Sequence, residues 1–250
     1  MHGCGVTAGA LASAVTLAFS GRRLLVTQTH YCMNHFELPL LPQGKGEKLI
    51  EGKGIDALVR DFKSGRVTEK EIMDNTVHVG ENLLLLPGGK NRCRELYDDK
   101  HTRDIESRIF SIAHDTCGNL LTELNPGYSD RTYEQIEATD ILVICLRQST
   151  GMLDELETWG VPKGRRETFF LFGMYDRESR YGTGYLSRRY RFLKKKNVFK
   201  LPYLSDYLDA VNDCRVTGFI NEGLGCSWRG KEKEFFDCVR ELSEGIGECL

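Results

Sequence analysis

The first residues that could do chemistry form a glycine-rich turn ahead of a helix. Residues 3–7 read Gly-Cys-Gly-Val-Thr, and apolar residues recurring at every fourth position predict a helix from Thr7 to Ser20. Such a turn directs backbone N–H groups and the positive end of the helix dipole at an anion, which suits a phosphate. Glycine pairs before helices also form tight turns without a ligand, so these residues alone leave both interpretations open.

A second candidate is a basic cluster between Arg177 and Lys200. It holds nine Lys or Arg residues and one Glu, interleaved with Tyr and Phe, in a chain whose formal net charge is -2. Such side chains can contact nucleic-acid phosphates, or they can remain solvated with their stems packed on the aromatic rings. The residues predicted to contact DNA without sequence preference are Arg188, Arg189, Lys194, Lys195 and Lys196.

Composition indicates one globular domain. The 250 residues, 40% hydrophobic and 28% charged, can bury one substantial core, so a single domain is expected over 1–250. The nine cysteines include no CxxC pair, which favours reduced thiols and a cytoplasmic protein. The apolar run from Gly5 to Phe19 is too short to span a bilayer, and the acidic segment 231–250 would be repelled by an anionic membrane. No membrane association is expected.

Short apolar runs alternate with helical patterns along the chain. This rhythm predicts an α/β fold, with a mostly parallel sheet flanked by helices. Strands are predicted at Leu24 to Thr27, Asn82 to Leu86, Leu120 to Leu124, Ile141 to Leu146, Thr168 to Phe172 and Val198 to Leu201. A basic helix is predicted near Tyr185 to Lys194, and the glycine-rich segment at about 43–103 is predicted to be a variable insertion.

Several segments, in order, resemble the ParA/MinD class of P-loop ATPases. Residues 1–7 resemble the deviant Walker A loop K-G-G-x-G-K-T, and 26–34 resemble the switch I region. Residues 120–127 resemble the Walker B strand and its turn, whereas 169–176 and 201–203 resemble the strand ends that hold adenine. The resemblance implies a P-loop NTPase-like fold, ATP or ADP with Mg²⁺, a homodimer, a protein partner, and a bacterial partitioning or positioning role.

The resemblance also implies site residues. Those expected to bind nucleotide are Gly3, Cys4, Gly5, Val6, Thr7, Asn34, Tyr175, Pro202 and Tyr203. Thr7 and Glu123 are the expected Mg²⁺ ligands, the latter through water. Glu123 could equally be a half-exposed strand residue. His30 and His35 are expected to be loop histidines, because no Cys or carboxylate set completes a metal site around them.

The sequence departs from the family pattern where charge matters. Val6 and Met1 stand at the two lysine positions, and Thr27 and Thr29 at the Asp-x-Asp pair, so no catalytic residue is assigned. The strand that precedes the family's loop is also missing, because the recorded start is downstream of the true one or because another segment rebuilds the sheet. We expect a degenerate protein that binds nucleotide weakly and works by association. The alternatives are a slow ATPase and a nucleotide-independent interaction module.

Overall fold

The computed structural model describes residues 3–31, 36–64, 67–90, 94–127 and 129–250. Its strands are β1 (Leu24–Gln28), β2 (Val77–His78), β3 (Leu83–Leu85), β4 (Leu120–Glu123), β5 (Ile141–Leu146), β6 (Glu167–Tyr175) and β7 (Val198–Pro202). Its α-helices are α1 (Val6–Phe19), α2 (Gly46–Leu49), α3 (Ile55–Ser64), α4 (Glu69–Asp74), α5 (Arg94–Asp98), α6 (Lys100–Cys117), α7 (Asp130–Ala138), α8 (Thr150–Trp159), α9 (Thr183–Arg189), α10 (Ser205–Asn212), α11 (Val216–Leu224) and α12 (Gly230–Cys249). Two short 3-10 helices cover Leu38–Leu40 and Lys195–Asn197.

The strands form two sheets. The first has the order β2-β3-β1-β4, and the second has the order β5-β6-β7. Every pairing is parallel except the short antiparallel pair of β2 and β3. The expected α/β fold with a mostly parallel sheet is therefore confirmed, but its strands are divided between two sheets. Among the described residues, β4 and β5 are each paired along one edge alone.

Alternation of side chains gives each sheet two apolar faces. In β1, Leu24 and Val26 belong to one buried core, whereas Leu25 belongs to a second one. In β6, Leu171 belongs to the core that contains Leu24 and Val26, whereas Phe172 belongs to a third one. This follows from the period of two in an extended strand. Both sheets thus turn one face towards a shared core.

Helix α1 lies in that shared core because its side chains are small and apolar on nearly all sides. Leu11, Ala12 and Val15 are buried there with residues of both sheets, of α11 and of α12. Gly9 permits the close approach, since a Cβ there would lie 2.5 Å from a methyl of Leu171. A buried leucine contributes roughly 1.5–3 kcal/mol relative to an exposed one. The packing of α1 therefore fixes the position of the loop that precedes it.

The remaining helices cover the other faces. Helices α3, α4 and α6 pack beside the first sheet through a core that includes Leu58, Ile72 and Ile109. Helices α8 and α9 cover the second sheet through Leu153 and Leu186. No helix in the described ranges is both long and apolar enough to cross a membrane.

Most predicted elements lie within a few residues of the observed ones, and one prediction needs correction. The basic helix predicted near Tyr185 to Lys194 is wrong in extent, because α9 ends at Arg189 and the chain then turns to bury Tyr190. The sequence patterns also miss α11. The segment 43–103 supplies β3, which pairs with β1, and its variability stays a prediction.

Candidate functional site

The loop before α1 has the backbone geometry that its glycines predict. Gly3 and Gly5 have φ values of 70° and 75°, in the left-handed region that favours glycine. Gly5 is the N-cap of α1, and no side chain of the described residues caps the helix. The amides of the first helical turn therefore face outward with the positive end of the helix dipole, as an anion site requires.

The loop is held by close contact with β6. A Cβ at Gly173 would lie 2.1 Å from the carbonyl oxygen of Cys4, so only glycine fits there without a shift. Cys4 itself is fully buried. This contact fixes the loop against the carboxyl end of the second sheet, while α1 anchors it from the other side.

A buried carboxylate lies beside the loop. Thr7 donates a hydrogen bond from Oγ1 to Oε1 of Glu123 over 2.7 Å, and Nε2 of His30 lies 3.1 Å from the same oxygen. The side chain of Glu123 is 1% exposed, so the half-exposed alternative for this residue is wrong. The structure thus brings together the two residues expected to hold Mg²⁺ and adds His30. The other histidine of that region, His35, lies outside the described residues.

The donor set of Thr7 and Glu123 fits Mg²⁺. This ion is usually held by one or two protein oxygens and completed by water and substrate phosphates. Within the described ranges, no group of three or more His, Cys, Asp or Glu residues could hold a metal by itself. Thr7 and Glu123 therefore suit a metal ion that is bound together with a phosphate ligand better than a metal ion that is bound by protein ligands alone.

A cavity of about 380 Å³ opens in front of the loop. Its polar lining residues include Thr7, His30 and Glu123, next to the glycines of the loop. Much of the remaining lining is apolar and comes from the end of β7, from α10 and from the residues between them, including Pro202, Tyr203, Leu204, Tyr207 and Leu208. A cavity with an anion site at one end and an apolar wall at the other matches the two ends of a nucleotide.

Three of the residues expected to bind nucleotide are not among the described lining of this cavity. Cys4 is buried behind the loop. Tyr175 accepts a hydrogen bond at its hydroxyl from the amide of Thr183, at the start of α9, and Met174 lines the cavity in its place. Asn34 lies outside the described residues. The other six do line it, namely Gly3, Gly5, Val6, Thr7, Pro202 and Tyr203.

The positions that carry charged side chains in the ParA/MinD class carry neutral side chains in this chain. Val6 lines the cavity with an aliphatic side chain. Thr29 is 5% exposed, donates from Oγ1 to Gln135 and accepts from the amide of Asn125. Thr27 is fully buried. Among the described lining residues, Glu123 is the one carboxylate.

Thiol chemistry does not fit this site. Burial raises the pKa of the Cys4 thiol, an effect that Arg147 partly opposes. Burial, with a smaller contribution from the charge of Glu123, raises the pKa of Cys145 to about 12. A nucleophilic cysteine needs a lowered pKa and access, and these two residues have neither.

The basic cluster forms a surface with uneven charge compensation. All five residues predicted to contact DNA are exposed. Arg189 pairs with Asp154 over 3.0 Å, and Lys196 pairs with Glu167 over 3.3 Å. Among the described residues, no ion pair involves Arg188, Lys194 or Lys195. Of the five, these three therefore carry the positive charge that no ion pair of the described residues compensates.

The fold is that of the ParA/MinD ATPases. The cell division ATPase MinD of Pyrococcus furiosus has a TM-score of 0.70 and 13% identity, with 100% of this chain and 96% of that chain covered. A ParA family ATPase from Chlorobium tepidum TLS has a TM-score of 0.68 and 11% identity, covering 98% of this chain and 95% of that one.

A third similar structure contains a nucleotide. The septum site-determining protein MinD of Pyrococcus horikoshii OT3, complexed with Mg-ADP, has a TM-score of 0.69 and 14% identity, covering 98% of this chain and 92% of that one. The sequence matches no protein-family model and no curated protein. At these identities the likeness establishes the fold. It therefore confirms the resemblance found in the sequence as far as the fold is concerned.

Proposed function

We propose that this protein binds ATP or ADP with Mg²⁺ weakly in the cavity before α1, and acts as a partitioning or positioning factor by association. The observation that carries the proposal is the Thr7–Glu123 pair, whose side-chain oxygens are 2.7 Å apart, at the start of α1, where Gly5 is the N-cap. The nucleotide-bound neighbour of the same fold supports the choice of ligand.

Each part of the site has a role in this proposal. The amides of the first turn of α1 would bind the phosphates, because backbone donors do not depend on side-chain identity. Thr7 and Glu123 would hold the Mg²⁺, which neutralises phosphate charge when bound. The apolar wall that includes Pro202 and Tyr203 would cover the base.

The same residues argue against efficient hydrolysis. Phosphoryl transfer depends on positive charge around the transferred group and on a residue that orients the attacking water. Val6 supplies no charge, and Thr29 is engaged with Gln135 and Asn125. We therefore propose that the bound or dimeric state, rather than turnover, carries the function. The alternatives are a slow ATPase and an interaction module that needs no nucleotide.

The basic cluster supports a second candidate function, non-specific DNA binding. Arg188, Lys194 and Lys195 are exposed, and no ion pair of the described residues compensates them. Phosphate contacts by such side chains need no base recognition. A factor that binds both nucleotide and DNA would associate with a nucleoid, and a protein partner would complete the positioning activity.

Calorimetric titration with ADP and ATP tests the nucleotide proposal. We expect weak binding that requires Mg²⁺, and a loss of about tenfold or more in affinity for Thr7→Val, because an oxygen ligand is removed. Thr158→Val is the matched control, since Thr158 is exposed on α8 and does not line the cavity. Absence of heat and of a thermal shift at millimolar nucleotide would contradict the proposal. Rapid Mg²⁺-dependent release of phosphate from ATP would contradict the proposal that the bound or dimeric state, rather than turnover, carries the function.

A further inference from the structure

Arg147 follows β5 and reaches the glycine-rich loop. Its Nε donates to the carbonyl oxygen of Gly3 over 2.6 Å, and its Nη2 lies 3.2 Å from Sδ of Met174. The contact with Gly3 joins residues 144 positions apart. A Cβ at Gly3 would stand 3.2 Å from Nη2, so the guanidinium lies directly against the loop backbone.

The charge of Arg147 has no counter-charge in the described part of the chain. Its acceptors there are a carbonyl oxygen and a thioether sulfur, which are both neutral. Its side chain is exposed and borders a second cavity, of about 370 Å³, together with Gln148, Ser149, Gly173 and Met174. A planar guanidinium with further N–H groups and open space beside it can bind an oxyanion at two points.

We propose that Arg147 supplies the cationic phosphate contact that Val6 does not provide. This inference rests on the proposed nucleotide site, and it names the side chain that recognises the charged end of the ligand. Met174 lines both cavities, so the arginine stands at the border of the nucleotide cavity rather than at a remote surface. A phosphate chain at the start of α1 would then meet backbone amides on one side and the guanidinium on the other.

A purely structural role makes different predictions. If Arg147 only clamps the loop through Gly3, an uncharged donor at this position could preserve the clamp, and salt would not affect the difference between variants. If its charge binds phosphate, affinity should fall in the order Arg, Lys, Gln. The contribution of the charge should also shrink as salt rises.

The test compares Arg147→Lys and Arg147→Gln with the unchanged protein, using ADP and inorganic pyrophosphate as probes over a salt series. Arg215→Gln is the matched control, because Arg215 pairs with Asp213 at the start of α11. We expect Arg147→Gln to lose about 10- to 100-fold in affinity for both probes, with Arg147→Lys between it and the unchanged protein. Thermal unfolding of each variant verifies the fold.

Three results would overturn the inference, and they are distinguishable. If the unchanged protein binds both probes and Arg147→Gln binds them as tightly as Arg215→Gln does, the inference fails and the nucleotide site stands. If the unchanged protein binds neither probe, the proposed function fails and the inference fails with it. Equal weakening of both Arg147 variants with no salt dependence would assign the residue a structural role and overturn the inference as well.

Discussion

At the scale of single residues, the site combines intact backbone features with altered side chains. Gly3 and Gly5 keep the left-handed turn, and Thr7 contacts Glu123. The turn follows from the glycines themselves, whereas Thr7 and Glu123 are expected at one Mg²⁺ site because of the family resemblance. The contact of Arg147 with Gly3 could not be predicted, because it joins distant segments and belongs to no motif. The same holds for His30 beside Glu123, which depends on the meeting of β1 and β4.

Gly173 provides a prediction about the loop. Gly173→Ala would place a Cβ 2.1 Å from the carbonyl oxygen of Cys4, so the loop or β6 must move. We expect destabilisation of about 1–3 kcal/mol and weaker nucleotide binding, measured by denaturant unfolding and titration. Gly151→Ala is the control, because nothing lies within 4 Å of that position and the substitution should be neutral or stabilise α8. An unchanged stability of the Gly173→Ala variant would contradict the close contact.

At the scale of elements, the bounds of a strand with a strong apolar pattern can be predicted from the sequence. The end of a helix that depends on tertiary burial cannot. The predicted strand Ile141–Leu146 has the observed bounds, because six apolar residues stand between polar flanks. The predicted helix over the basic cluster is too long. Tyr190 is fully buried, and its hydroxyl lies within hydrogen-bond distance of the backbone carbonyl oxygen of Thr150 and of the side-chain carboxylate of Asp154. This burial draws the chain out of the helix after Arg189.

The basic cluster gives a prediction about DNA. Arg188→Glu with Lys195→Glu should weaken binding to duplex DNA and flatten the log-log salt dependence by about one unit per lost contact. Lys48→Glu with Lys231→Glu is the matched control, since it changes the net charge equally at two exposed positions outside the cluster. Fluorescence anisotropy at several salt concentrations measures both variants. Equal binding by the two would exclude Arg188 and Lys195 as contacts, and no binding by the unchanged protein would remove the DNA proposal.

At the scale of the whole molecule, the order of elements is predictable, whereas the division into two sheets is not. Alternating strands and helices favour a parallel α/β fold on local evidence. Which strands pair, and in which register, depends on contacts between segments that are distant in the sequence, and local patterns do not define these contacts. Among the described residues, β4 and β5 each end one sheet and are not paired with each other. Helix α1 spans both sheets through their shared core.

The divided sheet makes a prediction about backbone protection. In the described chain, β6 pairs on both edges with β5 and β7, whereas β5 pairs with β6 alone. Alternate amides of β5 therefore lack a ladder partner, and we expect them to exchange with solvent deuterium faster than those of β6. NMR-detected exchange resolves individual amides, and β1, which pairs on both edges with β3 and β4, is the internal reference for the first sheet. Uniform protection across β5 and β6 would contradict an open edge and would show that another segment pairs with β5.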